Sequence, residues 1–293
     1  MMLTSLLIQL FYRIPSNNII ASLARFYIVF IFSLISEIFD AQFSMTLKRI
    51  SFLIFFLVFV PLNMTWNHIG FLLDDLLFPE WRAVEILSPI FIVGNARSGT
   101  TYMHRLFSLD ESSFCFFRTW ELLVGVSITW RKLFIKLYDM DQFYLKGYLY
   151  SLLCQLENHM LANCRTHVFG LQQAEEDDWL MCHISLSQLI TFFFPAGCAI
   201  FGNIIVFDNS VNSLTEKLIF SYYKDCIRRH MFVRNFRNLI SLRKTYVSKS
   251  PPFTNRIPSL NSEFPDCRVV CLVRDPVEAV PSMISYISQV NYP

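Results

Sequence analysis

The chain is poor in charge. Only 16% of its 293 residues are Asp, Glu, Lys or Arg, against about 25% in an ordinary soluble domain. The net charge is +2, too small for a general nucleic-acid binder, which presents a basic face to phosphates. No two of the eight cysteines form a C-x-x-C pair, so a zinc site of the usual spacing is not expected. The cysteines read instead as small apolar residues. No internal repeat and no low-complexity linker occurs, and no short apolar core leads to a small-residue cleavage site. Those absences argue against a repeat architecture and an ordinary secretory signal. What is abundant is apolar: 54% of the residues are hydrophobic, 30 of them Phe, and mean hydropathy is +0.40. That balance points to contact with a bilayer.

The apolar excess is greatest near the N-terminus. Asn17 to Phe39 contains only Arg25 and Glu37 as charges, and Ile50 to Leu73 contains none. The second stretch exceeds the ~20 residues that span a bilayer. Lys48 and Arg49 precede it and favour a cytoplasmic N-terminus. Pro61, Asn63, Asn67 and His68 make its second half polar, leaving Ile50 to Val60 as the continuous apolar part. The segment therefore reads either as a spanning helix or as one lying in the interface or docked on the domain. Asn63-Met64-Thr65 matches a glycosylation sequon, but the neighbouring apolar run would hinder modification. The expected division is residues 1–63 as a membrane-associated segment of one helix or two, and residues 64–293 as one domain.

From Phe78-Pro79 onward, strands and helices alternate. Strands are predicted at Pro89–Val93, Ser113–Phe117, Ala199–Phe207, Thr245–Lys249 and Arg268–Val273. Helices are predicted at Thr100–Leu109, Ser151–Leu161, Ser213–Leu242 and Pro276–Tyr286, where Pro276 suits a first turn. Such alternation implies an α/β fold with a central, mostly parallel sheet between helical layers.

Gly94-Asn-Ala-Arg-Ser-Gly99-Thr-Thr101 follows a strand and opens a helix, the context of a phosphate-binding loop. Gly94 allows a sharp exit from the strand, and Gly99 lets backbone N–H groups close on oxygens. The helix N-terminus adds positive potential, and Thr100 and Thr101 add hydroxyls. A nucleotide-triphosphatase loop would carry lysine where Thr100 stands. Here the cation is Arg97, whose planar guanidinium suits two oxygens of one group. Further on, the strand Arg268–Val273 delivers Arg274 at its C-terminal end, where parallel sheets bind ligands. Ser282 lies about two turns along the next helix, and the pair could clamp a second phosphate.

The loop resembles that of the sulfotransferases that use 3′-phosphoadenosine 5′-phosphosulfate, in which it usually reads G-x-P-R-S-G-T-T. Ala96 replaces the usual proline. The resemblance covers roughly Met64 to the C-terminus. It implies a P-loop-like three-layer fold and no metal. Arg97, Ser98, Gly99, Thr100 and Thr101 would hold the 5′-phosphosulfate, and Arg274 and Ser282 the 3′-phosphate. Lys249-Ser-Pro-Pro and the segment after it resemble tyrosylprotein sulfotransferases in particular, which implies that Lys249 stabilises charge on the bridging oxygen, and Arg97 would join it in stabilising the charge that develops in transfer. It also implies a domain continuing past Pro293. The acceptor would be a hydroxyl on a carbohydrate, a lipid or a tyrosine, and the location a membrane, Golgi-like in a eukaryote. The alternatives are a P-loop kinase or NTPase, which would need Mg and prefer ATP, and a truncated non-catalytic membrane protein retaining the fold.

Sulfonate transfer also needs a base for the acceptor proton. Glu121 follows the predicted second strand, and the resemblance places a catalytic glutamate in a comparable position. Glu175-Glu-Asp-Asp178 crowds four carboxylates, which raise one another's pKa, and Glu176 is the favoured member. His104 and His183 are the remaining candidates. Arg228, Arg229, Arg234, Arg237, Arg243 and Lys244 form a basic group that would meet an acidic acceptor, a lipid headgroup or solvent.

Overall fold

The computed structural model describes residues 9–39, 46–161, 170–194, 198–236 and 244–291. Arg237, Arg243 and the end of the predicted Ser213–Leu242 helix lie outside them. Two long apolar helices come first, α1 (Ile19–Phe39) and α2 (Leu47–Leu77). Both are long and apolar enough to cross a membrane; the α1 window Ile19–Ser36 is 44% buried against the protein, that of α2 11%. Thr46 caps α2 by accepting from the Arg49 amide.

The boundary expected after residue 63 falls inside α2. Its polar second half faces the domain: Asn63 donates to Leu123 O (2.9 Å), Trp66 to Val124 O (3.1 Å), and Asn67 is fully buried. The amide of the Asn63 sequon is thus already engaged. Asp74 accepts from the Ile128 and Thr129 amides at the start of α5 (Ile128–Tyr144) and pairs with Arg229 at 3.2 Å. Trp66 stacks on Trp130 with centroids 3.9 Å apart.

The sheet has four parallel strands in the order β2-β3-β1-β4. They are β1 (Ile90–Gly94), β2 (Phe114–Cys115), β3 (Thr245–Lys249) and β4 (Arg268–Leu272). β1 is central and buried throughout, as its unbroken apolar run requires. Phe91 and Val93 point into one core with Tyr223, Tyr246, Phe253 and Phe264. Ile90 and Ile92 point to the opposite face, with Val247, Met103 and Phe107. The first face is covered by α11 (Ser213–Phe236) and α12 (Ile257–Glu263), the second by α3 (Thr100–Ser108). The fold is α/β in three layers, preceded by apolar helices.

The remaining helices are α4 (Thr119–Leu123), α6 (Tyr148–Leu161), α7 (Asp178–Cys182), α8 (Ile190–Phe193), α9 (Cys198–Ile205), α10 (Phe207–Ser210) and α13 (Pro276–Asn291). Ala199–Phe207, expected as a strand, is helical instead. Ile204 and Phe207 both reach the same core from two successive helices that break at Val206, an arrangement that a short apolar run conceals. β2 is shorter than Ser113–Phe117 because the chain changes partner: Phe117 O accepts from the Glu175 amide (3.2 Å) and Arg118 bridges Ala174.

Candidate active site

β1 leads to one side of the sheet through β2 and β3, while β4 lies on its other side. The C-terminal ends of β1 and β4 therefore flank a topological switch point, where open α/β sheets bind ligands. A cleft of ≈ 560 Å³ opens there. Its walls include Arg97, Gly99, Thr100 and Thr101 from the β1–α3 loop, Arg274 beyond β4, and Glu175 and Glu176.

The loop is shaped by its backbone. Gly94 has φ 138°, and a Cβ there would run into Leu272 O on β4. Its N–H donates to Thr254 Oγ1 at 2.9 Å. Gly99 has φ 88° as the residue before α3, with open space where a Cβ would be. Arg97 is left-handed as well (φ 69°), a conformation that non-glycine residues adopt at some cost. Neighbours hold it. Arg97 Nε donates to Ser282 Oγ (3.0 Å), its guanidinium lies 5.6 Å from the Tyr286 ring centre, and Arg274 Nη1 donates to its carbonyl (3.1 Å). Arg274 Nε also donates to Glu278 (3.0 Å). The loop and β4 anchors are thus physically joined. Ser282, expected beside Arg274, lies under Arg97.

The acidic cluster is sewn into the sheet. The Glu175 amide donates to Phe117 O, and the Asp177 amide to Lys249 O (3.2 Å). The four carboxylates diverge. Glu175 and Glu176 approach Lys249 Nζ at 3.4 and 2.6 Å. Asp177 accepts from Tyr223 OH (2.5 Å) and Tyr246 OH (2.6 Å). Asp178 pairs with the buried Arg256 (3.5 Å) and accepts from Ser187 (2.6 Å). Burial raises the pKa of Glu176, with Lys249 opposing the shift, and raises that of Asp177 to about 6. Lys249 ends β3 beside Ile92 and is fully buried. Glu175 and Glu176 therefore present the pair to the cleft.

Glu121 is elsewhere. It is buried and absent from the cleft wall. It accepts from the Arg118 amide (2.8 Å) and Arg234 (3.1 Å), with Arg131 at 3.7 Å. Arg229 is engaged similarly, with Asp74 and Asp75. The two histidines are also interior. Burial, then Lys249, lowers the His104 pKa to about 3. Burial lowers that of His183 to about 4, and its Nε2 lies 2.7 Å from Leu122 O. Sequence reasoning gave no role to Thr254, Arg256, Trp179 or Tyr286. The first two lie in the turn directly after β3, a position that could have singled them out.

The Sulfotransferase family matches residues 89–292. Among solved structures, sulfotransferase STF1 from Mycobacterium tuberculosis H37Rv superposes with TM-score 0.55 at 20% identity, covering 80% of this chain and 57% of that one. Sulfotransferase STF9 from Mycobacterium avium gives 0.51 at 14%, covering 79% and 54%. This chain thus spans little more than half the length of each, and the likeness is one of fold. Among curated proteins none matches significantly. On the family match across most of its length, together with the shared fold, the chain belongs to the sulfotransferase family.

Proposed function

We propose that the chain moves a sulfonate group from 3′-phosphoadenosine 5′-phosphosulfate to a hydroxyl, with Glu176 as the base. The observation that carries this reading is the convergence of Arg97, Arg274 and Glu176 on one cleft. The loop fits a phosphosulfate. The first N–H groups of α3 have no intrahelical acceptors, and Ser98, Gly99, Thr100 and Thr101 surround that end. Arg97 supplies the charge that lysine supplies in triphosphatases. Arg274 would take the 3′-phosphate.

In the transfer, the acceptor oxygen bonds to sulfur while its proton passes to Glu176. The bond from sulfur to the bridging oxygen breaks, and its electron pair leaves on the 5′-phosphate. Once protonated, Glu176 no longer holds Lys249 by charge, so the ammonium can turn toward the oxygen becoming negative. Base and charge stabiliser would thus be coupled through one 2.6 Å contact. Glu121 would serve as an internal counter-ion. The apolar helices would bring the domain to a membrane.

The test is transfer from labelled donor by wild type and Glu176→Gln. The variant should bind 3′,5′-bisphosphoadenosine normally and lose at least ~10²-fold in rate, the scale of general-base catalysis. The wild-type rate should rise with pH through a pKa above the usual carboxylate value. An active Glu176→Gln enzyme would remove the assignment.

A further inference from the structure

Beside the cleft lies a second cavity of ≈ 280 Å³, between α1, α2 and α8. Phe26, Val60, Met64, Phe193, Phe194 and Trp179 are part of its mostly apolar wall. Trp179 also lines the catalytic cleft, and the consecutive residues Leu189 and Ile190 line cleft and cavity respectively. The indole thus stands between the cavity and the acidic segment, three residues after Glu176. Resting on the sulfonate-transfer reading above, we propose that the acceptor is a long-chain alcohol. Its hydrocarbon chain occupies this cavity and its terminal hydroxyl reaches Glu176 past Trp179.

The chemistry of the wall supports a hydrocarbon occupant. Its polar residues are turned to protein partners: Asn63 donates to Leu123 O, His183 contacts Leu122 O and Asn67, and Ser185 donates to Ser22 O. A sugar ring would find little to bond there, whereas apolar cavities of this kind stay dry and take apolar guests. The volume is near the lower end of the ~300–1,000 Å³ usual for small-molecule sites, which suits one chain rather than a whole amphiphile. An approach also exists. Phe59 lines the cavity and is 42% exposed, on the same helix as the exposed Ile54, Phe55, Val58 and Leu62. An exposed apolar stretch of α2 is thus continuous with the cavity.

The experiment uses the full chain in phosphatidylcholine nanodiscs. Labelled donor is supplied with 1-butanol through 1-dodecanol, an alkyl-free glycoside or a tyrosine peptide. In the alcohol series kcat/KM should rise about fourfold per methylene, the equivalent of ~0.8 kcal/mol per buried CH₂, until the cavity is full. Val60→Phe should flatten the series while bisphosphate affinity is unchanged. Independently of turnover, a dodecanol brominated near its hydroxyl end should quench indole fluorescence, and Trp179→Phe should abolish that quenching. A chain-length-independent rate, preference for the glycoside or peptide, or quenching unaffected by Trp179→Phe would each overturn the proposal. Quenching by brominated phospholipid but not by the alcohol would overturn it too, marking a structural lipid. Should Val60→Phe not fold, the wild-type series still decides. Failure of bisphosphate to bind wild type would instead strike the donor reading, leaving the quenching result to stand alone.

Discussion

Lys249→Met keeps an unbranched side chain that ends one atom short of Nζ and removes its charge. Glu175 and Glu176 would then lack the ammonium that now lies 3.4 and 2.6 Å from them. Breaking a buried ion pair by removing one partner costs about 3–5 kcal/mol. The Glu176 side chain retains 18% exposure and can draw in water, which favours the lower end, ~3 kcal/mol. At about 2–4 °C per kcal/mol for a chain of this size class, Tm should fall by ~6–12 °C. The loss should depend on pH. A carboxyl whose folded pKa is raised binds extra protons in the native state between its ordinary value and the raised one, so stability falls as pH rises through that window. Burial already raises the Glu176 pKa, and without Lys249 it rises further. The variant should therefore be most impaired near pH 8 and approach wild type near pH 5. Glu176→Gln in the same chain should restore about 1–3 kcal/mol, the coupling expected of contacting residues. Thermal unfolding of the four proteins of this cycle, at both pH values, measures it. Additive losses that are equal at pH 5 and pH 8 would refute the pairing. In the transfer assay, Lys249→Ala should lower the rate far more than donor affinity; equal losses would reduce Lys249 to a binding residue.

Two other outcomes separate structural from catalytic roles and fix the membrane relation. Glu121→Gln should destabilise the protein by about 3 kcal/mol, because it leaves Arg131 and Arg234 short of a buried counter-charge. The transfer rate of its folded fraction should stay within about tenfold of wild type, well inside the ~10²–10⁴ of a lost base. A folded, stable and inactive Glu121→Gln protein would return the base to that residue. Alkaline carbonate extraction should leave the chain in the membrane pellet; release to the supernatant would reduce α1 and α2 to helices docked on the domain.

The sheet was legible where local chemistry was strong. Thr245–Lys249 appears with the bounds its β-branched and aromatic residues suggest, and Ile90–Gly94 is shifted by one residue. The loop was legible because Gly94 and Gly99 each meet a backbone demand and show positive φ; Arg97 was legible by its charge, while its own positive φ was not. What the sequence concealed was three-dimensional. Four successive acids read as one crowded cluster, yet the side chains of Glu175-Glu-Asp-Asp178 divide among interior partners supplied by β3, α11 and the turn after β3. Glu121 has the residue type of a base, but its surroundings come from Arg118, Arg131 and Arg234, and no spacing rule joins those positions. Ala199–Phe207 shows the limit of periodicity, since a short apolar run fits strand and helix equally.

The central claim is that Arg97 and Arg274 grip opposite ends of one nucleotide, and calorimetric titration of 3′,5′-bisphosphoadenosine tests it most directly. Arg97→Ala and Arg274→Ala should each weaken binding by about 10- to 100-fold, the range for a lost charged hydrogen bond of ~1.5–3 kcal/mol. Arg274→Ala should weaken adenosine 5′-monophosphate far less than the bisphosphate, because that ligand has no 3′-phosphate and feels only the loss of the Arg274 bond to the Arg97 carbonyl, and Mg should be irrelevant throughout. Unchanged bisphosphate affinity in Arg274→Ala, or tighter binding of Mg-ATP by the wild-type chain, would contradict the account.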